Sequence, residues 1–92
     1  MLRAGLRSVH RPAALHHSLG LLLVRRGALE QALPELARAV ELEPGFPRFA
    51  QVYGVALHAA GRTAEAISVL QEALRRFPGD RELTGALAAI KG

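Results

Sequence analysis

Residues 53–79 read "YGVALHAAGRTAEAISVLQEALRRFPG", and 34 residues earlier residues 19–45 read "LGLLLVRRGALEQALPELARAVELEPG". Most side chains differ between the two. Eight coincide across residues 13–46 and 47–80: Gly20/Gly54, Leu23/Leu57, Gly27/Gly61, Ala32/Ala66, Leu36/Leu70, Ala39/Ala73, Pro44/Pro78 and Gly45/Gly79. Spacing that is held while side chains drift means that only the contacts between elements are constrained. Leu19, Gly20 and Leu23 fall on one helical face, and Leu33, Leu36, Ala39 and Val40 form the apolar face of the next helix. Gly20 and Gly54 let a partner helix approach closely, and Ala32, Ala39, Ala66 and Ala73 do the same from the other side. Gly27 and Gly61 sit where a helix stops and the chain reverses, a position that favours positive φ. Pro44 and Pro78 close the second helix, and Thr63 is placed to cap a helix beginning near Glu65.

A 34-residue period with this signature resembles the tetratricopeptide repeat, a helix–turn–helix unit that stacks into a solenoid. The resemblance covers residues 13–80 and implies an all-α fold: a short, right-handed superhelix of antiparallel helix pairs. It divides the chain into a basic segment over 1–12, repeats over 13–46 and 47–80, and a capping helix over 81–92. The family's large aromatics are mostly replaced here. His16 and Ala50 stand where Trp is typical, Leu23 and Leu57 where Tyr is, and Leu36 and Leu70 where Phe or Tyr is. Pro34 falls inside the second helix, where it removes a hydrogen bond and clashes with a carbonyl unless the helix starts late, near Gln31.

Composition supports the helical reading. Alanine and leucine together make up 33 of the 92 residues, 17 + 16, and both are strong helix formers. With no cysteine, disulfides, thiolate metal sites and cysteine nucleophiles are excluded together. No apolar run approaches the roughly 18 residues of a membrane span, so no membrane partner is expected. The net charge of +4 is uneven: residues 1–29 hold five arginines and no acid, and residues 30–92 hold seven basic and eight acidic groups. An arginine-bearing, acid-free start is also the composition of a mitochondrial presequence, but the first repeat begins inside it. A solvated end, or a helix carried over from a longer chain, fits that overlap better.

The two ends are expected to differ. After Pro78, Asp80 is placed as an N-cap, with Leu83, Leu87 and Ile90 on one helical face, as in a single helix that covers the end of the stack. Leu2 and Leu6 lie 34 residues before Leu36 and Val40, so residues 2–9 read as the second helix of a preceding repeat. At most five helices are expected, over 2–9, 13–26, 30–42, 47–60 and 64–77, with one over 81–90 if the first is disordered.

Catalysis has no support in the pattern. Glu30, Glu35, Glu41, Glu43, Glu65 and Glu72 fall on helix exteriors, and none is placed beside a partner carboxylate. His16 and His17 are adjacent and so face different ways. With His10 or His58 they make a poor zinc set, and no metal or other cofactor is expected. Ser8, Ser18 and Ser68 have no base beside them, and no glycine-rich loop follows a strand. Nucleic acid is not an expected partner, because beyond residue 29 the basic residues alternate with acids and stacking aromatics are few. Phe46 and Phe77 read as packing between repeats.

The resemblance implies a non-catalytic scaffold that holds a protein, peptide or helix in a concave groove. The alternative is an assembly or dimerisation appendage of a longer enzyme or cytochrome chain, and sequence upstream of Met1 separates the two. The first helix of each repeat turns Leu19 and Leu23, or Tyr53 and Leu57, toward its mate. The opposite stripe holds Ser18, Leu21, Val24 and Arg25 in one unit, and Arg48, Val52, Val55 and Ala59 in the next. Leu21, Val24, Val52 and Val55 then form an apolar floor without an intramolecular partner, edged by His17, Arg25, Arg48, Gln51 and His58. Such a floor suits an amphipathic helix or an extended apolar segment bearing an acid; residues 1–12 or a second copy, as in a homodimer, are the competing occupants. The family's grip on chaperone tails uses Lys, Asn and Arg at places held here by His17, Leu21, Val52, Glu82 and Ala86. That activity is not expected.

Overall fold

The computed structural model describes residues 12–92 as five helices: α1 (Pro12–Arg25), α2 (Leu29–Leu42), α3 (Pro47–Ala59), α4 (Thr63–Arg76) and α5 (Arg81–Lys91). Among the described residues there is no strand. The expected helix over 2–9 lies outside the described residues. α1 pairs with α2 and α3 with α4, each pair turning at a glycine with positive φ, 79° at Gly27 and 85° at Gly61. A left-handed residue is cheap only for glycine, which is why these two positions repeat. α3 also packs on α2, and α5 packs on both α3 and α4, so the pairs stack in one direction.

The core is thin and made largely of leucine and alanine. Leu36, Leu57, Leu70 and Leu83 are fully buried, one each from α2, α3, α4 and α5. Each contributes about 1.5–3 kcal/mol relative to an exposed side chain. α1 has no such residue, and its register mate of Leu57, Leu23, is only half-buried. Leu36 lies against Gly20 and Leu70 against Gly54. A Cβ at Gly54 would come 2.7 Å from Leu70 Cγ, and one at Gly20 would come 2.6 Å from Leu36 Cγ. Close approach of each helix to its mate is therefore the reason for glycine at both places.

Three local expectations are corrected. α2 begins at Leu29, earlier than Gln31, and carries Pro34 in its interior. Pro34 is exposed, so water can reach the Glu30 carbonyl that loses its intrahelical donor. α4 begins at Thr63, and Thr63 makes no cap; its hydroxyl oxygen lies 3.0 Å from His58 Nδ1. Leu19 does not face its mate but is 43% exposed. Phe46, though 43% exposed, packs between the repeats as expected, its ring tilted against Phe49 at 5.2 Å, and Phe49 itself is buried at 7% and stacks on His17. At the C-terminal end, Asp80 caps α5 as expected, accepting the Leu83 N–H at 2.9 Å.

Candidate functional site

The stripes expected on the first helix of each pair come together in part. Leu21 and Val24 of α1 and Gln51, Val52, Val55, Ala56 and Ala59 of α3 line one depression of about 240 Å3, with Leu29 of α2 at its end. Gln51 supplies its only polar side chain. Val55 is 44% exposed, and Leu21 is half-buried. Val24 and Val52 are not unpartnered: both are half-buried against the cluster built on Leu33, Leu36, Ala56 and Leu57. The free part of the floor is thus Leu21 and Val55, which occupy equivalent positions 34 residues apart.

The other expected residues surround this depression or leave it. His17 stacks on Phe49 with ring centroids 4.4 Å apart, joining α1 to α3, and its Nδ1 is buried with no hydrogen-bond partner. Burial, and then the Arg48 charge, hold the His17 pKa below 6.5, so the ring is neutral at neutral pH. His17 is therefore a packing residue and not a cationic margin. His58 is exposed and engaged with Thr63. Arg48 is exposed and lines a neighbouring depression of about 210 Å3 with Gln51, Asp80 and Glu82. Ser18 and Arg25 are exposed on α1 and line neither depression. His16, which stands where Trp is typical, is half-buried with Nδ1 2.6 Å from Glu35 Oε1, which ties α1 to α2.

Charge is divided between the two layers of helices. α1 and α3 contain no acidic residue, while α2 and α4 carry Glu30, Glu35, Glu41, Glu65 and Glu72. On that second layer the acids meet partners, with Arg62 3.4 Å from Glu30 of the other repeat and Arg75 2.7 Å from Glu72. Exposed pairs of this kind add little stability, but they neutralise the surface locally. Among the described residues Arg25 and Arg48 form no ion pair. The α1–α3 face is therefore apolar at its centre, with Arg25 exposed on α1 and Arg48 lying beside Asp80 and Glu82.

A larger concavity of about 430 Å3 went unanticipated. It lies between α2 and α4 above α3, lined chiefly by Val40, Phe46, Ala50, Tyr53, Val69, Ala73 and Phe77, with Glu72 and Arg76 at its rim. Burial, and then the Glu65 charge, push the Tyr53 pKa above 10, so its phenol stays neutral. The signal was present in the spacing of Val40, Val69 and Phe77, but it emerges only once α2 and α4 are known to flank α3. Among the described residues no group of His, Cys, Asp and Glu is placed to hold a metal ion, and no helix is long and apolar enough to cross a membrane. Residues 23–90 match the family model described as the tetratricopeptide repeat. Searches of curated proteins and of solved structures return no match.

Proposed function

Because the chain belongs to the tetratricopeptide repeat family, whose repeats generally mediate protein–protein interaction, we propose that it is a non-catalytic scaffold whose partner sits on the α1–α3 face. The observation that carries this reading is the pairing of Leu21 with Val55 in an apolar depression on two helices, α1 and α3, that contain no acid. An amphipathic helix suits it, seating two apolar side chains in the depression and offering Asp or Glu to Arg25 and Arg48. A depression of about 240 Å3 takes a few side chains and is smaller than most small-ligand sites, which run roughly 300–1,000 Å3. This favours a peptide anchored at points along its length.

The test is selection of displayed helical peptides against the 92-residue chain, followed by calorimetric titration of a winner. Leu21→Glu with Val55→Glu should weaken binding by at least about tenfold, roughly 1.4 kcal/mol, with helicity by circular dichroism unchanged. Val52 is left alone because it packs on the core. Undiminished binding by the double variant, or amide shifts centred on Val40, Tyr53 and Val69, would place the partner elsewhere.

A further inference from the structure

The concavity of about 430 Å3 between α2 and α4 is nearly twice the size of the α1–α3 depression, at about 240 Å3, and shares no lining residue with it. Its volume falls within the roughly 300–1,000 Å3 of small-ligand sites. It is open because its floor is built from small side chains. Ala50 of α3 and Ala73 of α4 both line it and both are buried, so only methyl groups rise from the bottom. Half-buried Val40 of α2 and Val69 of α4 flank them, and the rings of Phe46, Tyr53 and Phe77 complete the apolar walls. Three rings around one space favour a flat aromatic body, which offset or edge-to-face contacts hold in a defined geometry.

The charged groups lie along one edge. Ser68, Glu72 and Arg76 recur every four residues on α4, all exposed and all lining the concavity. Glu72 is met by Arg75, which does not line the concavity, with Nη1 2.7 Å from Oε1. Arg76 forms no ion pair among the described residues. Glu72, Arg75 and Arg76 together therefore leave one net positive charge on this edge. The hydroxyls of Tyr53 and Ser68 have no hydrogen-bond partner among the described residues and add two neutral donors.

We propose that this concavity binds a small aromatic carboxylate, its ring above Ala50 and Ala73 between Val40, Val69 and Phe77, and its carboxylate on the Arg76 guanidinium. The planar fork of arginine matches the two oxygens of a carboxylate. A cationic ligand would be repelled by Arg76, and a neutral one would leave that charge unused. A helical partner is less well served, because it needs apolar seats repeated along several turns, and this is a single concavity.

The test uses the 92-residue chain with naphthylacetate, and naphthylethanol as its uncharged counterpart. Amide shifts followed by NMR should centre on Ala50, Val69, Ala73 and Phe77, with a dissociation constant for the acid below about 1 mM. The acid should bind at least about threefold more tightly than the alcohol, the scale of an exposed ion pair, and Arg76→Gln should remove that preference. Ala50→Trp should fill the concavity from its floor and weaken both ligands at least about tenfold. The chain has no tryptophan of its own, so blue-shifted emission reports that the indole is in place. Circular dichroism checks that both variants fold, and the comparison of acid with alcohol in the unaltered chain stands without them. Equal affinities for acid and alcohol, undiminished binding to a folded Ala50→Trp variant, or shifts centred on Val52 and Val55 would overturn the proposal. Shifts at Ala50 and Val69 on raising the concentration of the chain itself, or on adding a helical peptide, with none from the acid, would give the concavity to a macromolecular occupant and overturn it equally.

Discussion

Alanine at Gly54 and at Gly85 should change stability in opposite directions. Both glycines lie inside helices, α3 and α5. Replacing an interior helical glycine with alanine gains about 1 kcal/mol of helix propensity. At Gly85 nothing lies within 4 Å of the new Cβ, so most of that gain should appear, about 0.5–1 kcal/mol. At Gly54 the Cβ meets Leu70 Cγ at 2.7 Å and its two methyls at 2.8 and 3.2 Å. Leu70 is fully buried and has nowhere to swing. Overpacking of this kind costs about 1–3 kcal/mol. Set against the propensity gain, Gly54→Ala should destabilise by as much as about 2 kcal/mol. Urea denaturation followed by circular dichroism reads both, provided the slope m is unchanged. The double variant Gly54→Ala/Leu70→Ala should show favourable coupling, because removing the leucine's branched end makes room for the methyl. Stabilisation by Gly54→Ala as large as that by Gly85→Ala would mean the helices do not approach as closely as described, and the account of the repeated glycine would fail.

Three further changes probe separate links. Asp80→Ala removes the one side-chain cap observed and should cost about 0.5–2 kcal/mol; an unchanged denaturation midpoint would count against it. Pro34→Ala restores a donor to the Glu30 carbonyl in α2 and should stabilise by roughly 1–3 kcal/mol, read as a higher thermal midpoint. For His17 the folded-state pKa lies below the unfolded value of 6.5, so the fold prefers the neutral ring. Its contribution is therefore present above pH 6.5 and is lost as pH falls through the folded-state value. His17→Leu should lose less stability than the parent between pH 7.5 and 5, and parallel profiles would mean that His17 is not held neutral by burial.

Helix order and pairing were legible because they rest on contacts that recur. Gly20, Gly54, Leu36 and Leu70 meet one another wherever the unit is repeated, so the spacing alone exposes them. What the spacing did not show is what depends on a neighbour. Leu19 and Tyr53 share a register position, yet Tyr53 has a helix pair before it and Leu19 is exposed. Thr63 had the chemistry of a cap, but the turn at Gly61 is closed by backbone hydrogen bonds, Arg62 N–H donating to the Leu57 carbonyl at 2.8 Å. The hydroxyl was left for His58. Phe49 was overlooked for a related reason. Its partner His17 comes from the other repeat, at a position where the repeats differ, so no periodicity points to the pair.

The candidate face was half-legible for a reason that bears on its function. A helix stripe can be placed from sequence, but whether a residue on it is free depends on how deeply the neighbouring helix sits. Val52 and Val24 were expected to be open and are instead part of the floor's foundation, which leaves Leu21 and Val55 as the side chains a partner could meet. The net charge of +4 is a poor guide to the partner, because its distribution along the chain is uneven. Five arginines precede residue 30, but only two unpaired arginines, Arg25 and Arg48, belong to the α1–α3 layer. A phosphate backbone is tracked by a basic groove with stacking surfaces, whereas Arg48 shares its depression with Asp80 and Glu82. On the proposed function, Arg25 and Arg48 would select among apolar segments by the acid at their margins, with charge acting on specificity and association rate more than on affinity. Replacing Arg25 and Arg48 with Gln should therefore weaken binding of an acid-flanked helix and remove most of its salt dependence, while a neutral helix with the same apolar residues binds as before. Equal loss for both peptides would show that the arginines act through packing, with their long stems and not their charge in contact with the partner.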